Sequence, residues 1–103
     1  MLPRFNITYP TTLVLHAIAG GARYGFDIAD RTGLQTGTVY PALRRLESLG
    51  FVRSSWEAEK QARREQRPAR RYYEITRDGH AALDIAMKRF ENLGRLSPRT
   101  RDA

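Results

Sequence analysis

The chain has 103 residues and no cysteine, which fits a single domain and excludes disulfides and cysteine-built zinc sites. Its 18 basic and 11 acidic residues give a net charge of +7, which favours an acidic partner such as nucleic acid or an anionic membrane. No apolar run reaches membrane-spanning length, and the N-terminus lacks the apolar stretch of a secretory signal. We therefore expect a folded cytoplasmic protein.

Glycines and prolines mark the ends of the first two predicted helices. The stretch "TTLVLHAIAGG" predicts a nearly all-apolar helix, with Pro10 suited to its first turn and Gly20 ending it. The stretch "YGFDIADRTG" predicts two to three helical turns that stop at Gly33. Its expected apolar contacts are Phe26, Ile28 and Ala29.

A third helix is predicted from "TGTVYPALRRLESLG", with Thr36 as its expected N-cap. Pro41 lies little more than one turn into this helix, and its ring would press on the carbonyl of Gly37. Because Gly37 has no side chain, its backbone can yield, and the helix start is expected to bend without breaking. The side that faces the core is expected to carry four apolar residues, Val39, Ala42, Leu43 and Leu46.

The opposite side of the third helix has the composition of a DNA-reading surface. Small groups at Gly37 and Pro41 let the helix approach a groove closely, and Arg44 and Arg45 can reach phosphates or guanine edges. The alternative interpretation is a solvated helix face, whose arginines pair with Glu47 or other carboxylates. The neighbouring elements favour DNA contact over that alternative.

Two short strands and a last helix are predicted in the second half of the chain. "FVRSSW" and "RRYYEIT" read as strands, "EAEKQARREQRPA" as a polar, non-periodic loop, and "RDGHAALDIAMKRFENL" as a helix capped by Thr76. This order gives an α+β, mostly α fold, a winged helix-turn-helix with a C-terminal dimerisation helix. The domains are residues 1–76 with the wing at about 51–76, the dimerisation helix 77–94, and a flexible tail 95–103.

The predicted wing loop is strongly basic. Between residues 59 and 71, six basic side chains outnumber two carboxylates, which leaves +4. A wing with this charge can follow a phosphate backbone or reach into the minor groove. Alternatively, the loop is solvated, or becomes ordered only on DNA. The basic residues are Lys60, Arg63, Arg64, Arg67, Arg70 and Arg71.

Consecutive tyrosines on the second strand must point to opposite faces of the hairpin. One of Tyr72 and Tyr73 is therefore expected to pack inward, and the other to offer its hydroxyl to phosphate. The sequence does not fix the register, and Tyr72 is only slightly favoured as the outward one. Trp56, at the end of the first strand, is expected to fill the core beneath the wing.

The last helix carries apolar residues on two sides, which is typical of a helix packed between its own domain and a partner. Ile85 lies roughly opposite the main stripe, and by itself it could also be one exposed apolar residue. A symmetric dimer would present its two recognition helices to half-sites about one DNA turn apart. The main stripe consists of Leu83, Ala86, Met87, Phe90 and Leu93.

Catalysis and metal binding are not indicated. His16 and His80 are far apart in sequence and fit no triad or metal spacing; we expect His16 in the core and His80 at the surface or an interface. No cofactor is implied. Met87 and Phe90 could line a gap between subunits for an unidentified small molecule, although such a stripe is more often core. A winged helix that binds RNA or docks a protein is the alternative function.

The stretches "TGTVYPALRRLESLGFV", "RRYYEIT" and "DGHAAL" resemble the PadR family of bacterial winged-helix regulators, over residues 11–93. The short chain is similar to the smaller branch of the family, with a single C-terminal helix. The resemblance implies a homodimeric transcriptional repressor that a small molecule or stress signal releases from DNA. It also implies dimerisation through the last helix and the first, to which Leu13 belongs. The DNA-facing positions implied are Thr38, Tyr40, Pro41, Arg44, Arg70, Arg71 and Tyr72, to which we add Thr36 and Arg45.

The second helix departs from the family pattern. The chain has "YGFDI" where the family typically has a stretch like "HGYEI". Phe26 replaces a tyrosine, so any phosphate contact made by that hydroxyl is absent. Tyr24 is the expected substitute.

Overall fold

The computed structural model of the protein describes residues 6–96, with side chains described through residue 93. Five helices and one two-stranded antiparallel sheet occur in this part of the chain, which confirms the mostly helical α+β fold. From residue 97 on, the predicted tail lies outside the described residues. The elements are α1 (Tyr9–Ala19), α2 (Gly25–Thr32), α3 (Thr36–Ser48), β1 (Val52–Trp56), α4 (Glu59–Arg64), β2 (Arg71–Ile75) and α5 (Arg77–Leu96).

The start of α3 differs from the prediction by one residue. The N–H groups of Thr38 and Val39 donate to the carbonyl of Gln35 at 2.9 and 3.0 Å, so Gln35 is the N-cap and Thr36 is already helical. The predicted capping role of Thr36 is therefore wrong. The helix continues through Pro41 without a break, as predicted.

The core lies among α1, α3 and α5, with the base of the hairpin closing one side. The predicted inner side of α3 is confirmed, since Val39, Ala42, Leu43 and Leu46 are all buried. Ile28 of α2 is buried as expected. The largest fully buried side chain is Phe51, at the junction of α3 and β1.

Three predicted core residues are exposed instead. His16 lies off the α1 stripe that is buried, and Phe26 is 68% exposed because α2 buries the side that carries Gly25 and Ile28. Trp56 is 64% exposed because only the base of the hairpin reaches the core, and Trp56 is at its far end. His80 is at the surface, as predicted.

The hairpin settles which tyrosine points inward. Trp56 pairs with Arg71 at one end of the register and Val52 with Ile75 at the other. Tyr73 is buried, at 7% exposure, and its N–H donates to the carbonyl of Arg23 at 2.7 Å. This bond ties the wing to the turn before α2. Tyr73 is therefore the inward residue.

The connection between the strands contains a helix where a structureless loop was predicted. In α4, Glu59 lies in the first turn and pairs with Arg63 one turn later at 3.0 Å. Ala62 is the buried residue of α4, at 2% exposure. A helix of six residues with one buried contact is too short to produce a visible apolar period.

Helix α5 begins as predicted at the Thr76 cap. The Thr76 hydroxyl accepts a hydrogen bond from the Gly79 N–H at 3.0 Å and donates one to the Gly50 carbonyl at 2.7 Å. The helix runs to Leu96, two residues beyond its predicted end. In the part of the chain that the structure describes, no helix is both long and apolar enough to cross a bilayer.

Replacing Gly79 with alanine should destabilise the fold, because a Cβ there would overlap the Phe51 carbonyl oxygen. Overpacking costs about 1–3 kcal/mol, and overlap with a backbone atom places Gly79 at the upper end of that range. The higher helix propensity of alanine returns about 1 kcal/mol, so we expect a net loss of about 2 kcal/mol in the free energy of unfolding. Urea denaturation measures it. Gly37→Ala is the matched control, since a Cβ at that helical position meets nothing within 4 Å. Equal midpoints for Gly79→Ala and wild type would contradict the packing described here.

Candidate nucleic-acid interface

The outer side of α3 is a continuous exposed surface. The buried residues of α3 fix the rotation of the helix and turn Gly37, Pro41 and Arg44 directly away from the core. Because Gly37 and Pro41 are small, no long side chain projects from the centre of this surface. The predicted contact residues of α3 are all exposed there: Thr36, Thr38, Tyr40, Pro41, Arg44 and Arg45.

The arginines of this surface are not neutralised by the carboxylate expected in the alternative interpretation. Glu47 accepts a hydrogen bond from the Ser54 hydroxyl at 2.8 Å and lies 3.5 Å from the Arg71 guanidinium. Among the described residues, neither Arg44 nor Arg45 forms an ion pair; Arg45 donates one long hydrogen bond, 3.5 Å, to the Asn6 carbonyl. Two positive charges therefore remain on the exposed side of α3.

Tyr40 of α3 contacts the start of α2. It is 38% exposed, and its ring lies so close to Gly25 that a side chain on Gly25 would overlap its hydroxyl. The Tyr40 ring therefore lies on the side of α3 that faces α2 and the wing.

Arginines stack on aromatic rings between α2 and the wing. The Arg70 guanidinium lies 4.0 Å from the centre of the Tyr24 ring, and that of Arg71 lies 5.4 Å from the Trp56 ring. Tyr24 also packs edge-to-face on Tyr72, with ring centres 6.0 Å apart. These contacts place Tyr24, Arg70 and Arg71 beside the wing-side flank of α3, where they line one cleft with Tyr40.

The carboxylate of Glu57 holds the wing together. Its side chain is 6% exposed and accepts two hydrogen bonds from the Arg67 guanidinium, at 2.7 and 2.8 Å. It also accepts from the Arg70 N–H at 3.2 Å and from the Tyr72 hydroxyl at 3.1 Å. The hydrogen bonds from Arg67 outweigh the opposing effect of burial and, with those from Arg70 and Tyr72, lower the pKa of Glu57 to about 2.

These bonds change the expected roles of two predicted DNA-contact residues. Arg67, with a side chain 19% exposed, pairs with Glu57 and with Glu65 at 3.1 Å, so it is structural rather than free to bind phosphate. The Tyr72 hydroxyl, expected to reach phosphate, donates a hydrogen bond to the Glu57 carboxylate instead. Lys60 and Arg64 are exposed on α4 and form no ion pair in the described part of the chain.

Sequence reasoning missed Glu57. The residue directly follows β1 and lies ten positions before Arg67, so only the closed hairpin brings the two together. The signal present in the sequence was a carboxylate directly after the first strand, but Glu59 and Glu65 lie in the same stretch and nothing in the sequence sets Glu57 apart from them.

Stability should depend on the ionised form of Glu57. The pKa of Glu57 is about 2 in the folded protein, against 4.5 for an unperturbed glutamate, so this stabilisation is complete above about pH 4.5 and is lost as the pH falls toward 2. Glu57→Gln should lower the urea midpoint at neutral pH and flatten its decline between pH 5 and 2. Glu74→Gln, at an exposed pair with Arg53, is the control. Parallel midpoint curves for Glu57→Gln and wild type would contradict this role.

The apolar surface on α1 and α5 differs in part from the predicted dimer interface. Leu83 and Ala86 are 7% and 0% exposed within one subunit, because that side of α5 packs on its own core; their assignment to a partner interface is therefore wrong. Met87 and Leu93 are exposed, and Ile85 lies exposed on the other flank of α5. Tyr9 packs edge-to-face on Phe90 at 5.1 Å. A groove of about 420 Å³ separates α1 from α5 and is lined by Tyr9, Leu13, His16, Met87 and Phe90, among others.

Comparison with known proteins identifies relatives of this chain among transcriptional regulators. The family model described as "Transcriptional regulator PadR-like family" matches residues 14–85. A PadR family transcription regulator from Clostridium difficile R20291 is 26% identical, with a TM-score of 0.72, 86% of this chain and 94% of that chain covered. A transcriptional regulator from Clostridium thermocellum is 25% identical, with a TM-score of 0.70 and 85% of each chain covered.

A more distant likeness shows the fold alone. The regulator BpsR of Bordetella bronchiseptica, whose DNA binding is regulated by 6-hydroxynicotinic acid, is 18% identical, with a TM-score of 0.71; the match covers 91% of this chain and 67% of that one. No curated protein matches the sequence. A family model that spans most of the chain, two solved structures and an arginine-bearing helix beside a wing agree: the protein belongs to the PadR-like family of transcriptional regulators.

Proposed function

We propose that the protein is a cytoplasmic homodimeric repressor that occupies a pseudo-palindromic site on double-stranded DNA and excludes polymerase. The observation that carries this proposal is the exposed side of α3. On this side lie Arg44 and Arg45, with which no carboxylate of the described residues 6–93 forms an ion pair, and the small residues Gly37 and Pro41 between them and the helix start. A helix that carries charge around small residues suits the major groove.

Recognition is divided between α3 and the wing. In this proposal Arg44 reads base edges, and Thr36, Thr38 and Tyr40 approach the groove beside it. Tyr24, Arg70 and Arg71 contact the adjoining backbone, since they flank the wing side of α3. The α4 cations Lys60, Arg63 and Arg64 add affinity that does not depend on sequence, because phosphate contacts carry no sequence information.

The second subunit packs on the surface between α1 and α5. We assign the interface to the exposed and half-buried apolar residues of that surface and leave out Leu83 and Ala86. Ile85 would contact the partner only if the partner reaches around α5. The proposed interface residues are Tyr9, Leu13, Met87, Phe90 and Leu93.

A small molecule releases the protein from DNA in this proposal. BpsR, which shares the fold, is regulated by such a molecule.

Neutralising the α4 cations tests the backbone part of the proposal. The triple variant Lys60→Gln/Arg63→Gln/Arg64→Gln spares Arg67, which holds Glu57. Each lost phosphate contact reduces the slope of log affinity against log salt by about 0.9, so we expect a decrease of about 2–3 and an equal loss of affinity for all duplexes. Fluorescence anisotropy measures both. Arg77→Gln, at an exposed position at the start of α5, is the control. An unchanged slope in the triple variant would refute the contact.

A further inference from the structure

The flank of α3 opposite the wing adjoins the segment that precedes α1. A groove of about 460 Å³ separates the two; Thr38, Pro41 and Arg45 line it from α3, and Asn6 and Thr8 line it from the segment. A helix about 10–12 Å wide fills a DNA major groove about 12 Å wide, so the phosphate backbones of the duplex run along both flanks of the helix. In the proposed function the wing faces one backbone, and this flank faces the other.

Arg89 of α5 holds that segment in place. Its guanidinium donates to the side-chain oxygen of Asn6 at 2.9 Å and to the carbonyl of Ile7 at 2.6 Å. The guanidinium also lies 4.7 Å from the centre of the Phe90 ring. Ile7 itself is buried in the core. The segment is thus fixed by one apolar side chain and by two hydrogen bonds from a single arginine, 82 and 83 positions away in the sequence.

The fixed segment in turn places Arg45. The Arg45 guanidinium donates to the backbone carbonyl of Asn6 at 3.5 Å. A carbonyl carries no net charge, and a hydrogen bond of this length is weak, so the contact directs the arginine without neutralising it. Asn6 therefore receives a hydrogen bond from Arg89 through its side chain and another from Arg45 through its carbonyl. This residue connects α5 to the exposed side of α3.

We propose that Arg89 is a positioning residue for DNA binding, which acts through Asn6 to hold Arg45 toward the phosphate backbone on the flank away from the wing. Loss of Arg89 leaves the charge of Arg45 in place but frees its side chain, so each phosphate contact must then order a long, flexible arginine. The DNA contact rests on the proposed function. The placement of Arg45 by Arg89 does not, since it follows from the contacts within the subunit.

The alternative is a purely structural role, in which Arg89 only anchors Ile7. Asn6 is exposed, yet it accepts one of the two hydrogen bonds from Arg89, which favours the positioning role. The two roles differ in one measurable respect. Loss of a structural residue weakens DNA binding whether or not Arg45 is present, whereas loss of a residue that acts through Arg45 has no further effect once the Arg45 guanidinium is gone.

A double-mutant cycle with a labelled duplex at low salt makes this distinction. Ordering one long side chain costs about two- to tenfold in affinity, so Arg89→Gln should weaken binding by that factor per subunit in the wild type and not at all in the Arg45→Ala background. Asn6→Ala, at an exposed residue, cuts the same link without removing the bond to the Ile7 carbonyl and should show the same dependence on Arg45. Arg77→Gln is the control on α5. Equal losses in both backgrounds, or no loss in either, would overturn the proposal.

A measurement without DNA tests the placement itself. The side-chain Nε–H signal of Arg45 is assigned in NMR spectra as the one that Arg45→Ala removes. This signal should shift in Arg89→Gln and in Asn6→Ala, because both free the Arg45 side chain, and should stay in place in Arg77→Gln. An unchanged Arg45 signal in both variants would refute the link through Asn6. Failure of the wild type to bind any duplex would instead refute the proposed function, while the NMR signal would still decide whether Arg89 places Arg45.

Discussion

Replacing Met87 with glutamate should convert the proposed dimer to a monomer and lower its affinity for a two-half-site operator about hundredfold. Met87 is 44% exposed within the subunit, so the change leaves the core of one chain intact. In the dimer the new carboxylate would be buried among Tyr9, Leu13 and Phe90 of the proposed interface, and the cost of removing its charge from water opposes association. The loss in DNA affinity follows because each monomer then binds one half-site alone.

Two measurements separate this effect from unfolding. Sedimentation equilibrium reports the mass, and urea denaturation reports the stability of the subunit. Met87→Leu is the matched control, since it keeps an apolar side chain of similar volume and should leave both the mass and the DNA affinity near wild type. A dimeric Met87→Glu variant with wild-type affinity would show that the partner packs elsewhere, and an interface on the Ile85 flank would then be tested with Ile85→Glu.

Replacing Arg44 with alanine should lower the affinity for the specific site by about 1–3 kcal/mol per half-site, which is about 5- to 150-fold. Arg44 lies at the centre of the exposed side of α3 and forms no ion pair in the described part of the chain, so its removal leaves no carboxylate without a partner. Stability should therefore remain unchanged. Because the contact reads bases, the affinity for a scrambled duplex should fall only a few-fold.

The control for Arg44→Ala is Arg53→Ala, which removes an exposed arginine paired with Glu74 on the wing. Anisotropy titrations with the specific and scrambled duplexes give the ratio of affinities for each variant. Equal losses for both duplexes would make Arg44 a phosphate contact. An unchanged affinity for both would remove Arg44 from the interface.

The sequence predicted the helical part of the fold well because periodicity there reports burial directly. In α3 the repeat of Val39, Leu43 and Leu46 gave the inner side of the helix, and the outer side followed from it. Thr76 also acted as predicted, since a cap depends on residues only three positions away. The identity of Gln35 as the α3 cap was missed because that cap uses backbone geometry without a side-chain hydrogen bond.

The wing could not be predicted from local patterns. Trp56 was expected to be buried because it is large and lies on a strand, but the core reaches only the base of the hairpin. Arg67 was grouped with the other wing cations because a run of charge looks uniform in sequence. Its pairing with Glu57 exists only once the hairpin closes. That pairing gives Arg67 a structural role, whereas Lys60 and Arg64 remain exposed on α4.

The same limitation hid the aromatic and arginine contacts between α2, α3 and the wing. Tyr24, Tyr40, Trp56 and Arg70 come from four separate segments, and no spacing rule relates them. The exposure of Phe26 was hidden for a similar reason, because a helix of eight residues shows too little period to distinguish its inner side.

The most direct test of the central claim is an anisotropy titration with duplex DNA from the region upstream of the protein's own gene and with a scrambled duplex, at about 50 and 200 mM salt. We expect tighter binding to the upstream duplex and, for about six phosphate contacts, a roughly thousandfold loss of affinity between the two salt concentrations. Absence of binding to either duplex at the lower salt concentration would contradict the DNA-binding account and favour an RNA or protein partner.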